Sequence, residues 1–196
     1  MILEKLVNSP KLKSIIDDFI SLHENVWDIG IYGSIIRGKI DINDIDIVII
    51  LKKILNINEK LKLSQDLKFK INDLFNEKID IKCIDMNDLI DDNFLARAGI
   101  IAETFLIKNN KTMANLLGFG SFYTFEYTLK NLTKSEKQQF LYALNGRGSN
   151  KGLIKSDNLE HIGGGVLKVP LVHSEDIKEF FEKNKISYKI KKALIY

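Results

Sequence analysis

Residues 27–51 read WDIGIYGSIIRGKIDINDIDIVIIL, and this stretch decides the fold of the N-terminal half of the chain. A short apolar strand over residues 27–32 runs into Gly33, a residue that commonly ends a strand in a turn. The segment from Asp44 to Leu51 begins in alternation and ends wholly apolar, as expected of a strand that enters a covered sheet. We therefore expect two sheet strands joined by the turn over residues 33–43.

The segments around this stretch alternate between helical and strand periodicity. Apolar residues recur at helical spacing over residues 4–23, where Pro10 can divide the segment into two helices. Residues 56–76 are again amphipathic, residues 78–85 (KIDIKCID) form a third strand, and residues 87–107 have a helical pattern. With a short helix after Gly33, this order predicts an α/β unit built on a small mixed sheet.

The polar stretch Lys108-Asn-Asn-Lys111 is the best boundary between two halves. We expect one domain over residues 1–112 and a small α+β domain of unassigned role over residues 113–196, so that the fold class of the chain is α/β to α+β. The elements expected in the second domain are an extended aromatic segment over 119–127, a helix over 135–144, a strand over 166–169, a helix from Ser174 and a strand over 187–195.

Three aspartates carry the strongest chemical signal in the sequence. Asp44 and Asp46 are two residues apart on one strand, so their carboxylates project to the same face. Two neighbouring carboxylates repel each other unless a cation lies between them, and oxygen ligands of this kind suit Mg²⁺. Asp80, on the separate strand over 78–85, is the natural third carboxylate. We expect all three to be metal ligands and catalytic residues.

The turn after the first strand has the composition of a phosphate-binding site. Glycine at position 33 allows close approach to the backbone, and Ser34 adds a hydroxyl donor. A short helix that starts here offers backbone N–H groups to an anion. Arg37 lies one turn further on and can reach the same phosphates, so Gly33, Ser34 and Arg37 are the candidate nucleotide-binding residues.

Together these residues resemble the nucleotidyltransferase superfamily typified by DNA polymerase β, and most closely its minimal members. The shared pattern is Gly33-Ser34, an Arg-Gly pair a few residues later, Asp44-x-Asp46 in an apolar strand and Asp80 on a following strand. The resemblance covers roughly residues 20–110. It departs from the common pattern in a slightly shorter turn and in Asn43, where a serine often precedes the first aspartate.

The resemblance implies a polymerase-β-like mixed sheet and a magnesium-dependent transferase that uses an NTP such as ATP as donor. It implies two Mg²⁺ ions, with Mn²⁺ as the alternative metal, and pyrophosphate as the leaving group. The expected reaction transfers a nucleoside monophosphate to an acceptor hydroxyl, with an RNA or DNA end favoured over a protein or a small molecule. The alternative function is a catalytically inactive nucleotide-binding or nucleic-acid-binding module, or an antitoxin-like component that retains the fold.

The amino-acid composition limits the class of protein and the cellular compartment to which this chain can belong. The chain has 196 residues with 45% hydrophobic and 28% charged residues, typical of a globular protein. One cysteine, Cys83, excludes an internal disulfide, and the sequence lacks a secretory signal pattern or a long apolar run. We therefore expect a cytoplasmic protein that makes no membrane contact; nothing in the sequence indicates its oligomeric state.

The charge distribution favours nucleic acid as a partner of the second half. Residues 1–110 carry 15 Lys and Arg against 18 Asp and Glu, whereas residues 111–196 carry 14 against 8. Arg147 and Lys151, in the loop NGRGSNKG over 145–152, are candidate contacts to a nucleic-acid backbone. An ordinary hairpin with solvated basic residues remains the alternative interpretation.

Several other residues have both a functional and a structural interpretation. Asp85 can replace Asp80 as third ligand, but its position at a strand end favours a cap for the helix that follows. The aromatic segment 119–127 can stack bases, but a buried strand face is the simpler interpretation. The three histidines show no metal-binding spacing.

Overall fold

The computed structural model describes residues 6–196, and these form two compact units that divide between Phe119 and Gly120. The expected helix over residues 4–9 begins in the part of the chain that is not described. Each unit has its own sheet and its own apolar core. Both units combine helices with a sheet, mixed in strand direction in the first unit and antiparallel in the second, and the predicted α/β to α+β class is confirmed.

Within residues 6–119, a five-stranded mixed sheet has the strand order β3-β2-β1-β4-β5. Strands β2 and β3 are parallel, and the other neighbours are antiparallel. The strands are β1 (Val26–Tyr32), β2 (Asp44–Leu51), β3 (Lys78–Ile84), β4 (Phe105–Leu106) and β5 (Lys111–Thr112). The helices are α1 (Pro10–Leu22), α2 (Ile57–Ile71), α3 (Met86–Ile90), α4 (Arg97–Glu103) and α5 (Met113–Leu116).

Local signals in the sequence explain where the two long helices begin. The Ser9 hydroxyl accepts a hydrogen bond from the backbone N–H of Leu12, and Pro10 takes the first helical position of α1, where a missing N–H costs nothing. Asn56 and Glu59 form a reciprocal capping box at the start of α2. Helix α2 ends in a 3-10 turn, Asn72–Leu74, close to the predicted limit at residue 76.

The helix predicted over residues 87–107 is wrong as a single element. The structure has two short helices there, α3 and α4, separated by residues 91–96, and the chain then turns into strand β4. Tertiary packing explains the difference: Ile100 and Leu106 enter the apolar cluster against Val48, and β4 pairs with β1. The apolar residues of this segment therefore belong first to helix α4 and then to strand β4, which lies between β1 and β5 in the sheet.

The polar stretch 108–111 does not separate the two units. Asp28, on β1 and fully buried, accepts hydrogen bonds from the backbone N–H groups of Lys108 and Asn109 at 3.1 Å and from the Asn109 side chain at 2.7 Å. These bonds hold the turn between β4 and β5 against the sheet. Met113 then packs in the same core, so the first unit extends to Phe119, beyond the boundary predicted after residue 112.

Residues 120–196, all of which are described, form a four-stranded antiparallel sheet with the order β11-β6-β10-β9. The strands are β6 (Gly120–Thr128), β9 (Glu160–Gly163), β10 (Val166–Pro170) and β11 (Ser187–Ile195). Two longer helices, α6 (Lys134–Asn145) and α8 (Ser174–Lys183), complete a βαββαβ order, the ferredoxin-like arrangement. The insertion after α6 holds a small hairpin, β7 (Gly146–Arg147) with β8 (Asn150–Lys151), and the short helix α7 (Leu153–Ser156).

Aromatic side chains fill the core of this second unit. Phe125 and Tyr127 on β6 make edge-to-face contacts with Phe181 of α8, and Tyr127 also contacts Phe140 of α6. The interpretation of the aromatic segment as a buried strand face is thus confirmed for Tyr123 and Phe125, while Tyr127 on the same face is half-buried. Within residues 6–196, no helix combines the length and the apolarity that a membrane crossing requires.

Candidate functional site

The turn that leaves β1 lies against the carboxylate of Asp46. β1 and β2 are antiparallel, and Tyr32 at the end of β1 is the register partner of Asp46 on β2. Gly33 follows with a φ of 81°, and a Cβ at this position would overlap Asp46 Oδ2. Only glycine combines this left-handed backbone with this close approach, so the glycine is required here by geometry.

The short helix predicted after Gly33 is a three-residue 3-10 turn, Gly33–Ile35. The N–H groups of Ile36 and Arg37 bond to the carbonyl of Gly33, and the chain then enters a turn at Gly38. A turn this short has only a small dipole compared with an α-helix, because few peptide units are aligned. Backbone donors and side chains must therefore supply any phosphate binding at this point.

The three predicted carboxylates lie on two adjacent strands. Asp44 and Asp46 are half-buried on one face of β2, while Ile45 and Ile47 on the other face are buried. In the parallel pairing of β2 with β3, Asp46 is the register partner of Asp80. The structure therefore places Asp46 and Asp80 side by side at one level of the sheet, with Asp44 two residues before. We refer to Asp44, Asp46 and Asp80 as the carboxylate edge.

Electrostatics within the carboxylate edge are unfavourable for the charged form of Asp46. Burial and the negative charge of Asp44 raise the pKa of Asp46, and the charge of Asp80 acts in the same direction. Lys82 and Arg37 oppose the shift without cancelling it. The neighbouring positive charges thus do not fully balance the negative charge of these carboxylates.

Lys82 supplies part of that charge, and the sequence analysis did not identify it. Its Nζ donates to Asp80 Oδ2 at 2.9 Å and lies 6.0 Å from the centroid of the Tyr32 ring. Partial burial disfavours the charged lysine, but Asp80 and Tyr32 outweigh that effect and raise the pKa of Lys82. The signal in the sequence was its i+2 position from Asp80, which places both side chains on one strand face.

The arrangement of side chains does not by itself form a closed metal centre. Among residues 6–196, no three His, Cys, Asp or Glu side chains are grouped so that they could hold a metal ion. Asp80 is turned to Lys82 instead. Both side chains are partly exposed, 49% for Asp80 and 37% for Lys82, so that a rotamer change at either is sterically inexpensive.

Arg37 is held by a partner that was also missed. Its Nη1 lies 2.8 Å from Oε2 of Glu103, and the Glu103 side chain is only 1% exposed. Glu103 stands at the end of the apolar run Ile100-Ile-Ala102, and a charged residue at that point indicates a buried partner. This ion pair fixes the guanidinium close enough to Asp46 to oppose part of the rise in the pKa of that carboxyl.

Asp85 caps the helix that follows it, as its position at the strand end predicts. Its carboxylate accepts from the backbone N–H groups of Asn87 and Asp88 at the start of α3, and its Oδ2 lies 2.7 Å from Lys60 Nζ. Burial opposes its charge, but these hydrogen bonds outweigh burial and lower the pKa of Asp85. The capping interpretation is therefore confirmed. Near the same strand end, burial raises the pKa of the Cys83 thiol to about 12, so the thiol is protonated at neutral pH.

In the second unit, Arg147 and Lys151 lie on the β7–β8 hairpin, which is separate from the four-stranded sheet. Both residues are exposed, and the Arg147 guanidinium lies 4.8 Å from the centroid of the Tyr142 ring on α6. The hairpin interpretation of the loop is confirmed. Whether its basic residues contact nucleic acid stays a prediction.

Comparison with known proteins adds little at this level of similarity. No model of a known protein family matches the chain, and no curated protein matches it. A crystal structure of a toxin–antitoxin with AMP-PNP is similar at a TM-score of 0.36 and 16% identity, over 48% of this chain and 71% of the other. A mutant of the toxin–antitoxin MntA-HpeT is similar at a TM-score of 0.32 and 18% identity, over 50% and 69%. Likenesses this low carry no conclusion about the activity of this chain.

Proposed function

We propose that the first unit is a magnesium-dependent nucleotidyltransferase domain that transfers a nucleoside monophosphate from an NTP to an acceptor hydroxyl. The observation that carries this proposal is the register match of Asp46 with Asp80 on two parallel strands, with Asp44 on the same face of β2. Carboxylates on adjacent strands are oxygen ligands that a divalent cation can share, and the pattern of residues resembles that of the polymerase-β-like superfamily.

In the proposed reaction, the turn after β1 binds the NTP that donates the nucleotide. Gly33 brings the backbone directly against the Asp46 carboxylate, so that the turn and the carboxylates lie together at one point of the sheet. Ser34 offers a hydroxyl donor, and Arg37 contributes a positive charge that its pairing with Glu103 holds in place. These three residues bind and orient the triphosphate in the proposed site.

The carboxylate edge fits a divalent cation in residue type and in its unbalanced negative charge, but its side chains are not grouped as a metal centre while Asp80 pairs with Lys82. Asp44 and Asp46 would hold the metal, and Asp80 would complete the site after its side chain leaves Lys82. When bound, Mg²⁺ supplies charge stabilisation at the α-phosphate and at the pyrophosphate leaving group. Asp80, whose side chain is 49% exposed, is also the proposed acceptor of the proton of the attacking hydroxyl.

The acceptor is proposed to be an RNA or DNA end, because residues 111–196 carry 14 Lys and Arg against 8 Asp and Glu, a net positive charge. A second candidate function is a non-catalytic nucleotide-binding or antitoxin-like module that retains the fold. The pairing of Lys82 with Asp80 favours it, since a lysine that stays on the third carboxylate would occupy the place of a cation.

One labelling experiment separates the two functions. The protein is incubated with Mg²⁺ and each α-labelled NTP in the presence of tRNA, single-stranded DNA or total cell protein. The Asp46→Asn variant tests the site, and Asp73→Asn, an exposed aspartate on the turn after α2, is the matched control. We expect label in one acceptor fraction for the wild-type and control proteins and none for Asp46→Asn.

Two results would reject the catalytic function. Absence of transfer by the wild-type protein to any acceptor, together with nucleotide binding that Asp46→Asn leaves unchanged, would favour the non-catalytic module. Equal transfer by Asp46→Asn would place the chemistry elsewhere in the chain.

A further inference from the structure

One face of the sheet in the second unit is left uncovered by the helices of that unit. The side chains of Phe125 and Tyr127 lie under α6 and α8, so alternate residues of β6 point to the other side. We call this other side the open face. It carries half-buried or exposed side chains from the two central strands and the edge strand β11: Phe122, Thr124, Glu126, Val166, Lys168, Pro170, Lys189 and Lys191.

The open face combines one aromatic ring with a row of lysines. Lys168 Nζ lies 4.3 Å from the centroid of the Phe122 ring on the neighbouring strand. Lys189 and Lys191 lie beyond β6, opposite Glu126 and Thr124 in the register of β11 with β6. Residues 120–196 as a whole carry 13 Lys and Arg against 8 Asp and Glu. Most of these acidic residues belong to the helices, so the face itself is complementary to an anionic chain.

The ion pairs on the open face differ in exposure. Lys191 pairs with Glu126, with 64% and 40% of the side chains exposed, and Lys168 pairs with Glu160, with 21% and 59% exposed. An exposed pair such as Lys191 with Glu126 contributes little to stability and exchanges readily with solvent ions. A phosphate group can therefore take the place of the Glu126 carboxylate on Lys191.

Two pockets mark the ends of a path along the open face. One, of about 410 Å³, is lined by Phe122, Glu160, Lys168 and Pro170 together with residues 158–159. The other, of about 420 Å³, is lined by residues 126–128, 164–166 and 187–189. Both volumes lie in the range of small-ligand sites. Residues 122 and 128 are about 20 Å apart on an extended strand, enough for several nucleotides.

We propose that the open face binds single-stranded RNA. The Phe122 ring stacks on a base, and the lysines at positions 168, 189 and 191 contact phosphates, the combination of aromatic stacking and basic groups used by four-stranded sheets that bind single strands. Glu126 and Thr124 are acceptors placed among these lysines, where they can take a hydrogen bond from a 2′-hydroxyl, a group that DNA lacks. The proposal concerns the second unit alone and is independent of the proposed nucleotidyl transfer.

This surface differs from the basic hairpin that the sequence indicated. Arg147 and Lys151 lie on β7 and β8, which form a separate two-stranded sheet. The Arg147 guanidinium lies 4.8 Å from the centroid of the Tyr142 ring. The open face has a pocket beside Phe122 and Lys168, one half-buried aromatic ring and three lysines within one continuous sheet.

The test is fluorescence anisotropy of short labelled oligonucleotides with the full-length protein, in the absence of NTP. Single-stranded RNA, single-stranded DNA of the same sequence and an RNA duplex are compared. The variants are Phe122→Ala, Phe122→Tyr and the double variant Lys189→Ala/Lys191→Ala. The double variant Lys137→Ala/Lys178→Ala, which removes two lysines from α6 and α8, is the matched control.

We expect single-stranded RNA to bind most tightly. Loss of one stacked base in Phe122→Ala should weaken binding by about 5- to 100-fold, whereas Phe122→Tyr keeps a ring and retains the affinity. Removing two phosphate contacts should reduce the slope of log K against log salt by about 1.4 in Lys189→Ala/Lys191→Ala. The control double variant should keep the wild-type slope.

Any of four results overturns the proposal. Equal or tighter binding of DNA or duplex would remove the assignment to single-stranded RNA. An affinity that Phe122→Ala leaves unchanged would remove the stacking site. A loss of slope in Arg147→Ala/Lys151→Ala, with none in Lys189→Ala/Lys191→Ala, would move the binding surface to the hairpin. The absence of RNA binding by the wild-type protein would reject the proposal as a whole, whatever the outcome of the labelling experiment.

Discussion

Two groups of aspartates in the first unit have opposite electrostatic environments. Asp28 and Asp85 are buried, and each is surrounded by hydrogen-bond donors that satisfy its charge. The carboxylate edge is half-buried and is formed by groups that repel one another, so that the pKa of Asp46 is raised whereas that of Asp85 is lowered. A carboxylate that supports the fold is thus satisfied within the chain, and one that is left unbalanced indicates a ligand.

The largest effect should follow from Asp28→Ala. The substitution leaves the N–H groups of Lys108 and Asn109 and the Asn109 amide without their acceptor, and it frees the turn between β4 and β5. We expect the free energy of unfolding in urea to fall by about 3–5 kcal/mol. Asp17→Ala, on the exposed side of α1, is the control and should change it by less than about 0.5 kcal/mol. A loss below about 1 kcal/mol would show that Asp28 is not a structural carboxylate.

A smaller effect is expected from Asp85→Asn, which keeps the cap but leaves Lys60 without this charged partner. The loss should be about 2–3 kcal/mol at neutral pH, because the Lys60 side chain is only 13% exposed. Since folding lowers the pKa of Asp85, its charge stabilises the fold above the unfolded value near 4 and ceases to do so as pH falls through the folded value. The difference between wild type and variant should therefore be constant from pH 6 to 8, and should shrink below about pH 4. A difference that grows at low pH would contradict this role.

Gly33→Ala tests the contact between the turn and the carboxylate edge. A φ of 81° disfavours alanine, and its Cβ would displace the Asp46 carboxylate. We expect a loss of about 1–2 kcal/mol in thermal or urea unfolding and a fall in labelling activity. Gly163→Ala, where a Cβ meets open space, is the matched control, and it should be near neutral. Equal effects of the two substitutions would remove the structural reason for a glycine at position 33.

The smallest effect on stability is expected from Asp46→Asn. Removing this charge relieves repulsion from Asp44 and Asp80, so the free energy of unfolding should stay unchanged or rise by up to about 1 kcal/mol, as is common at functional sites. Asp80→Asn breaks the exposed contact with Lys82 and should change stability by less than about 1 kcal/mol. A loss of 2 kcal/mol or more in either variant, measured in urea, would place these residues with the structural carboxylates.

The sequence predicted most of the elements that position the candidate site. Strand β2 has the predicted bounds, because alternation followed by a fully apolar run is specific to a strand entering a covered sheet. The closing strand β11 and the start of α8 at Ser174 were also predicted, the latter from its acidic first turn. Local periodicity and capping residues were sufficient at these places.

The errors occurred where distant residues decide the structure. The run from residue 87 to 107 has a helical pattern locally, but pairing with β1 makes its end a strand. The boundary moved to Phe119 because Asp28, some 80 positions earlier in the chain, binds the polar turn. Glu103 was missed for the same reason, since its partner Arg37 lies 66 positions away in the chain. Lys82 was missed although its position two residues after Asp80 is visible in the sequence.

The most direct test compares two carboxylates that lie five residues apart around strand β3. Transfer of label from α-labelled ATP in the presence of Mg²⁺ is measured for Asp80→Asn and Asp85→Asn at a temperature where both variants are folded. We expect Asp80→Asn to lose transfer while it keeps wild-type stability, and Asp85→Asn to keep transfer while it loses stability. Retained transfer in Asp80→Asn, or loss of transfer in a folded Asp85→Asn, would show that the carboxylate edge is not the catalytic site.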